Sequence, residues 1–161
     1  MPTITPCLWF DNQAEEAAKL YTRVVPNSAI TAVTHYPIDT PGGKAGEVMT
    51  VEFTLDGRPY TGLNGGPQFP FTEAVSFQID CADQRDVDWY WSELTADGGS
   101  EGPCGWLKDR FGLSWQIVPR RLTELLADPD PQVARRVSEQ MMTMGKLDIA
   151  PLEAAAEKAR G

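Results

Sequence analysis

Three short runs set hydrogen-bonding side chains on every second residue: Thr50, Glu52 and Thr54, then Ser76 and Gln78, then Ser114 and Gln116. Alternate residues of a strand share a face, so each run presents one polar side. Opposed to them stand Met49, Val51, Phe53 and Leu55, then Val75, Phe77 and Ile79, then Leu113, Trp115 and Ile117. A carboxylate such as Glu52 can serve as a base or anchor a cationic ligand. The amides of Gln78 and Gln116 can both donate and accept. The same pattern also describes the wet side of an open antiparallel sheet, and a lone strand carboxylate can simply be solvated. Cys7, Cys81 and Cys104 have no C-x-x-C spacing, which argues against zinc. Cys104 reads either as a nucleophile or as a small apolar residue, with no histidine beside it for activation. His35, the single histidine, reads as a polar strand residue.

The elements that carry these residues follow from periodicity. Residues 4–10 read as a strand. Asn12 with Glu15 has the capping-box spacing, and Ala14, Ala17, Ala18, Tyr21, Val24 and Val25 recur at helical intervals. Strands are expected over 30–36, 47–55 and 58–64, the last two joined by the Asp56-Gly57 turn. The order then repeats: a strand over 74–80, a helix capped by Asp83 carrying Val87, Tyr90, Trp91 and Leu94, a short strand near Ser100, and a hairpin over 104–119 with Gly112 at its turn. Trp89, Trp91 and Trp115 read as core. After it come a helical turn at 122–126, a helix opened by Asp130-Pro131, and a last helix capped by Asp148. The stripe Val133, Ala134, Val137, Met141 and Met144 needs a covering surface, for which a second copy is one solution.

Composition narrows the partners. With 161 residues, 42% hydrophobic and 23% charged, the chain can bury one substantial core. A net charge of −9 argues against nucleic acid and anionic membrane surfaces. No apolar run approaches the roughly 20 residues of a membrane span. The start Met1-Pro2-Thr3-Ile4-Thr5-Pro6 is unlike a secretory signal, and three widely spaced cysteines fit a reducing compartment. A cytoplasmic protein is expected.

Two strand–helix–strand–strand–strand modules resemble the glyoxalase/bleomycin-resistance/dioxygenase superfamily, the vicinal-oxygen-chelate fold, and within it the PhnB-like branch. The resemblance lies in residues 8–17 (LWFDNQAEEA), 50–57 (TVEFTLDG), 62–66 (GLNGG) and 104–119, with Lys108-Asp109-Arg110-Phe111-Gly112 before Trp115-Gln116 the most specific part. It implies an α+β fold: a paired βαβββ core domain over 1–119 and a helical C-terminal extension of that domain over 120–161. Members are often labelled 3-demethylubiquinone methyltransferases. A usual S-adenosylmethionine site needs a glycine-rich turn between a strand and a helix of a parallel sheet, a context the pairs Gly42-Gly43, Gly65-Gly66 and Gly98-Gly99 do not occupy.

The resemblance also implies where a site would lie. Metal-dependent members take ligands from the first and last strands of each module. Those positions match near Pro6, at Leu63 or Asn64, at Ala74 and at Gln116, and only Gln116 is a plausible ligand. The polar face becomes a cup lined by Glu52, Asn64, Gln78, Trp106 and Gln116, with Trp9 and Phe10 as further candidates for apolar walls. It is expected to hold a small organic molecule without a metal or other cofactor. A neutral or cationic ligand fits better than a phosphate, because no arginine or lysine stands at these five positions. The alternative is a metal-dependent lyase, isomerase or oxidoreductase of the glyoxalase/dioxygenase type. A homodimer is expected, since the superfamily builds cups from paired modules.

Overall fold

The structure, a computed structural model, describes residues 2–161. Contacts divide the chain after Phe71 into two units, and the helical extension belongs to the second.

The first unit runs β1 (Cys7–Phe10), α1 (Ala14–Val24), β2 (Ala29–His35), β3 (Val48–Leu55) and β4 (Arg58–Asn64). The sheet order is β1-β4-β3-β2, with β1 parallel to β4 and the other pairs antiparallel. Val51, Phe53 and Leu55 are buried and Glu52 is exposed, as the alternation requires. The buried face of α1 is Ala14, Ala17, Ala18, Leu20, Tyr21 and Val24, and its alanine end lies close to the sheet. A Cβ on Gly62 would meet that of Ala14 at 3.2 Å. Asp56 and Gly57 both take positive φ, 48° and 76°, the twisted two-residue hairpin that Asp-Gly favours.

The expected cap on α1 is corrected. The helix begins at Ala14 after Gln13, without a side-chain cap from its own loop. The Ala14 N–H donates instead to Asn64 Oδ1 at 2.9 Å, so a tertiary contact replaces the local capping box. The first strand also starts later than expected, at Cys7, because its partner segment in β4 is only Thr61–Asn64.

The second unit repeats the order: β5 (Ser76–Cys81), α2 (Gln84–Thr95), a 3-10 turn (Ala96–Gly98), β6 (Ser100–Glu101), β7 (Trp106–Lys108) and β8 (Ser114–Pro119). Its sheet order is β5-β8-β7-β6. Asp83 caps α2 by accepting the Asp86 N–H at 3.0 Å. Trp91, Trp115 and Ile117 are buried, whereas Phe77 and Ile79 are half-buried. Trp89 is 48% exposed, which corrects its reading as core: Val87, Trp91 and Leu94 make the inward stripe of α2. Val75 precedes β5 and is exposed.

The chain ends in α3 (Arg120–Leu126), α4 (Pro131–Met141) and α5 (Ile149–Arg160). Asp130 and Asp148 cap α4 and α5 as their spacing predicts. Val133 and Val137 are fully buried among Leu122, Leu125, Leu147, Leu152 and Ala156. The apolar stripe of α4 is thus covered within the chain, and its need for a partner surface falls away. Gln84 ties this extension to α2: its amide donates to Leu147 O at 3.0 Å and accepts from Ile149 N at 2.9 Å.

Candidate ligand-binding face

The site is built on β8. Trp115 and Ile117 point to the helix side, so Ser114 and Gln116 must face the other way. Register then sets Gln78, Gln116 and Trp106 in one row across β5, β8 and β7. The neighbouring row holds Ser76, Ser114, Lys108 and Ser100. Gln78 Nε2 donates to Gln116 Oε1 at 3.3 Å, and Gln116 Nε2 donates to Ser76 Oγ at 2.8 Å. Lys108 is ion-paired with Glu73 at the exposed edge. Ser114 is 1% exposed, and its hydroxyl has no partner among the described residues.

The Lys108–Gly112 motif explains why this register is held. Asp109 is buried at the turn between β7 and β8. Its Oδ1 accepts the N–H groups of Phe111 and Leu113 at 2.9 and 3.1 Å, and its Oδ2 accepts the indole N–H of Trp115 at 2.9 Å. Gly112 turns the chain at φ 90°. The most specific motif in the sequence is therefore a scaffold that fixes Gln116 beside Trp106.

In the first unit, Glu52 is exposed on the face away from α1, in a row with Ala32, Thr61 and Cys7. The next row holds Thr34, Thr50, Leu63 and Trp9. Trp9 Nε1 donates to Gly66 O at 2.8 Å, and Phe69 packs edge-on against its ring at 4.9 Å. A Cβ on Gly65 would meet that ring at 2.3 Å, so glycine is required there. Phe10 is buried on the helix side.

Asn64 does not join Glu52. It is 7% exposed on the α1 side, with Oδ1 on Ala14 N and Nδ2 donating to Val48 O at 3.1 Å. The matched fourth-strand position on the open face is Leu63. The structure therefore groups Gln78, Trp106 and Gln116, keeps Glu52 on the open face of the first unit, and gives Asn64 a structural place. Lys108 is the cation that sequence reasoning overlooked. Its parity with Trp106 over three residues was the signal that would have found it.

The thiols divide by burial. Burial, and then Asp86, Asp80 and Asp83 nearby, push the Cys81 thiol up to about 12. Partial desolvation raises the exposed Cys7. Cys104 is half-buried at φ 57°, its Sγ 3.7 Å from Met142 Sδ. No group of three or more His, Cys, Asp or Glu residues is gathered among the described residues in a way that could hold a metal. The matched ligand positions Leu63 and Ala74 carry no donor side chain, so the residues present do not fit the metal of the metal-dependent members.

Two four-stranded sheets, each with a helix on one face, define a glyoxalase-like protein. The chain belongs to the 3-demethylubiquinone-9 3-methyltransferase family, also called PhnB, whose profile matches residues 2–118. It is similar to the PhnB protein of Bacillus cereus, described by the same methyltransferase name, at 31% identity and TM-score 0.64, over 73% of this chain and 99% of that one. Protein PA1353 of Pseudomonas aeruginosa shares the fold at 18% identity and TM-score 0.59, over 74% and 98%. So does the fosfomycin resistance protein FosX of Listeria monocytogenes, at 12% identity and TM-score 0.50, over 74% and 93%. No curated protein matches the chain. Among the described residues no helix is long and apolar enough to cross a membrane.

Proposed function

We propose that this PhnB-like protein binds a small organic molecule on the open, polar side of its sheets, without a metal. The observation that carries the reading is the row Gln78–Gln116–Trp106, in which two amides linked to each other lie beside an indole. Amides give directional hydrogen bonds and the indole gives a flat apolar wall, the mixture small-molecule sites use. Glu52 offers a carboxylate on the corresponding face of the first unit. Asn64 serves by anchoring the start of α1 to β4.

Binding is preferred to methyl transfer because no glycine pair opens a helix after a strand. Gly42-Gly43 packs on Tyr36, Gly65-Gly66 follows β4 into a loop, and Gly98-Gly99 follows α2. A homodimer is retained on the superfamily's habit of pairing modules. Native mass spectrometry of protein purified without chelators tests the reading. A retained organic mass that is lost on Gln116→Ala supports it. Stoichiometric metal lost on the same substitution overturns it.

A further inference from the structure

We infer that β2 is the contact between two copies of this chain, which pair antiparallel through their β2 edges about a two-fold axis at Val33. This rests on the homodimer retained above and supplies its interface. Only one edge of β2 is used within the chain. Its ladder is to β3, and among the described residues no further hydrogen bond reaches the backbone of Ile30–His35. Five of its seven residues are exposed, and none is Asp, Glu, Lys, Arg or Pro. A row of free N–H and C=O groups recruits another strand, so outer strands are ordinarily kept short, charged or interrupted. The other outer strands follow that rule. β1 has four residues, β5 carries Asp80, and β6 has two residues and ends in Glu101. The ladder of β2 is irregular at Thr31 and again after Thr34. Val33 is the centre of the regular run between them.

Charge and register make a second copy the occupant. The chain carries −9, so copies repel over most of their surface, and along β2 no like charge meets. An axis at Val33 sets this 36% exposed apolar side chain against its own counterpart, and Ala32 against Thr34 of the other copy. The faces agree under that operation. Ala32 and Thr34 pair with Glu52 and Thr50 on the open side, and Val33 pairs with Val51 on the helix side. The Glu52 row of one copy then runs on into the Thr34–Thr50 row of the other. The open face of the first unit becomes one surface shared by two copies.

Cysteine cross-linking of the full chain reads this register. Val33→Cys in a Cys7→Ser background should form a disulfide between copies on oxidation by dissolved oxygen. Opposed residues of an antiparallel pair have Cα atoms about 4.5 or 5.5 Å apart, within disulfide reach. His35→Cys in the same background should not cross-link, because its counterpart lies about 14 Å away along the ladder. Val33→Lys should lose the dimer in sedimentation at a concentration where the wild-type chain is dimeric, with its circular dichroism unchanged. A wild-type dimer that persists in Val33→Lys overturns the inference and leaves the homodimer standing. So does a dimer in which Val33→Cys forms no disulfide, or in which His35→Cys cross-links as readily. A monomeric wild-type chain overturns both. The retained-ligand measurement bears on neither.

Discussion

The Asp109 carboxylate holds the Trp115 indole N–H at 2.9 Å while its other oxygen gathers two backbone N–H groups of the turn between them. One buried side chain thus joins the hairpin turn to the core strand. Asp109→Asn would point an amide N–H₂ at groups that are themselves donors. We expect a loss of about 3 kcal/mol in urea unfolding, and a loss below about 1 kcal/mol would show that the clamp is dispensable.

Asn64 and Gln116 should separate cleanly. Asn64→Ala removes the acceptor for Ala14 N and the donor to Val48 O, and should cost about 1–2 kcal/mol of stability while leaving ligand affinity unchanged. Gln116→Ala should leave stability nearly unchanged and weaken ligand binding by about 1–3 kcal/mol. The reverse pattern would move the site to the helix side of the first sheet.

Thiol labelling should follow burial. Cys7 should react in the native state, whereas Cys81, with its thiol pushed up to about 12, should stay unmodified until the protein unfolds. Modification of Cys81 in folded protein, read by peptide mass spectrometry, would contradict its buried placement.

Acid should loosen the helical extension. A hydrogen bond from Lys146, then one from Gln84, holds Asp88 below its ordinary value of 3.8. Asp128 is lowered by the Asp130 N–H and then by Arg160, and Glu139 first by Arg135. A depressed carboxylate contributes stability above its unfolded pKa that is lost as pH falls through the folded one. These groups are near the surface, so each effect is small. Hydrogen exchange in α4 and α5 should therefore quicken only below about pH 4, and Lys146→Ala should reduce the Asp88 share of that dependence. Quickening between neutrality and pH 5 would point to other groups.

Sedimentation at micromolar concentration should give a dimer of the full chain. A monomer would remove the homodimer proposal, for which the covered stripe of α4 no longer argues.

The strand faces were legible because period-two alternation is imposed by burial on one side only. Val51, Phe53, Trp115 and Ile117 fall where it puts them. The caps at Asp83, Asp130 and Asp148 were legible because each acts within its own turn. The start of α1 was not, since its acceptor lies 50 residues away. Nor was the place of Asn64, because a matched position uncertain by one residue is uncertain by a whole face. The cover of α4 depends on Leu122, Leu147 and Leu152, which local spacing does not connect to it.

Val118 follows Gln116 on the same side of β8 and packs into the core of the helical extension, while Asp80 opposite it is closed by Arg120. The row of amides therefore ends there at an apolar residue beside an exposed ion pair. Before it, the row Gln78, Gln116 and Trp106 crosses three strands, about 10 Å. The family match stops at Val118, so the row lies within the shared region, whereas the helical core that Val118 packs against is built by residues beyond it.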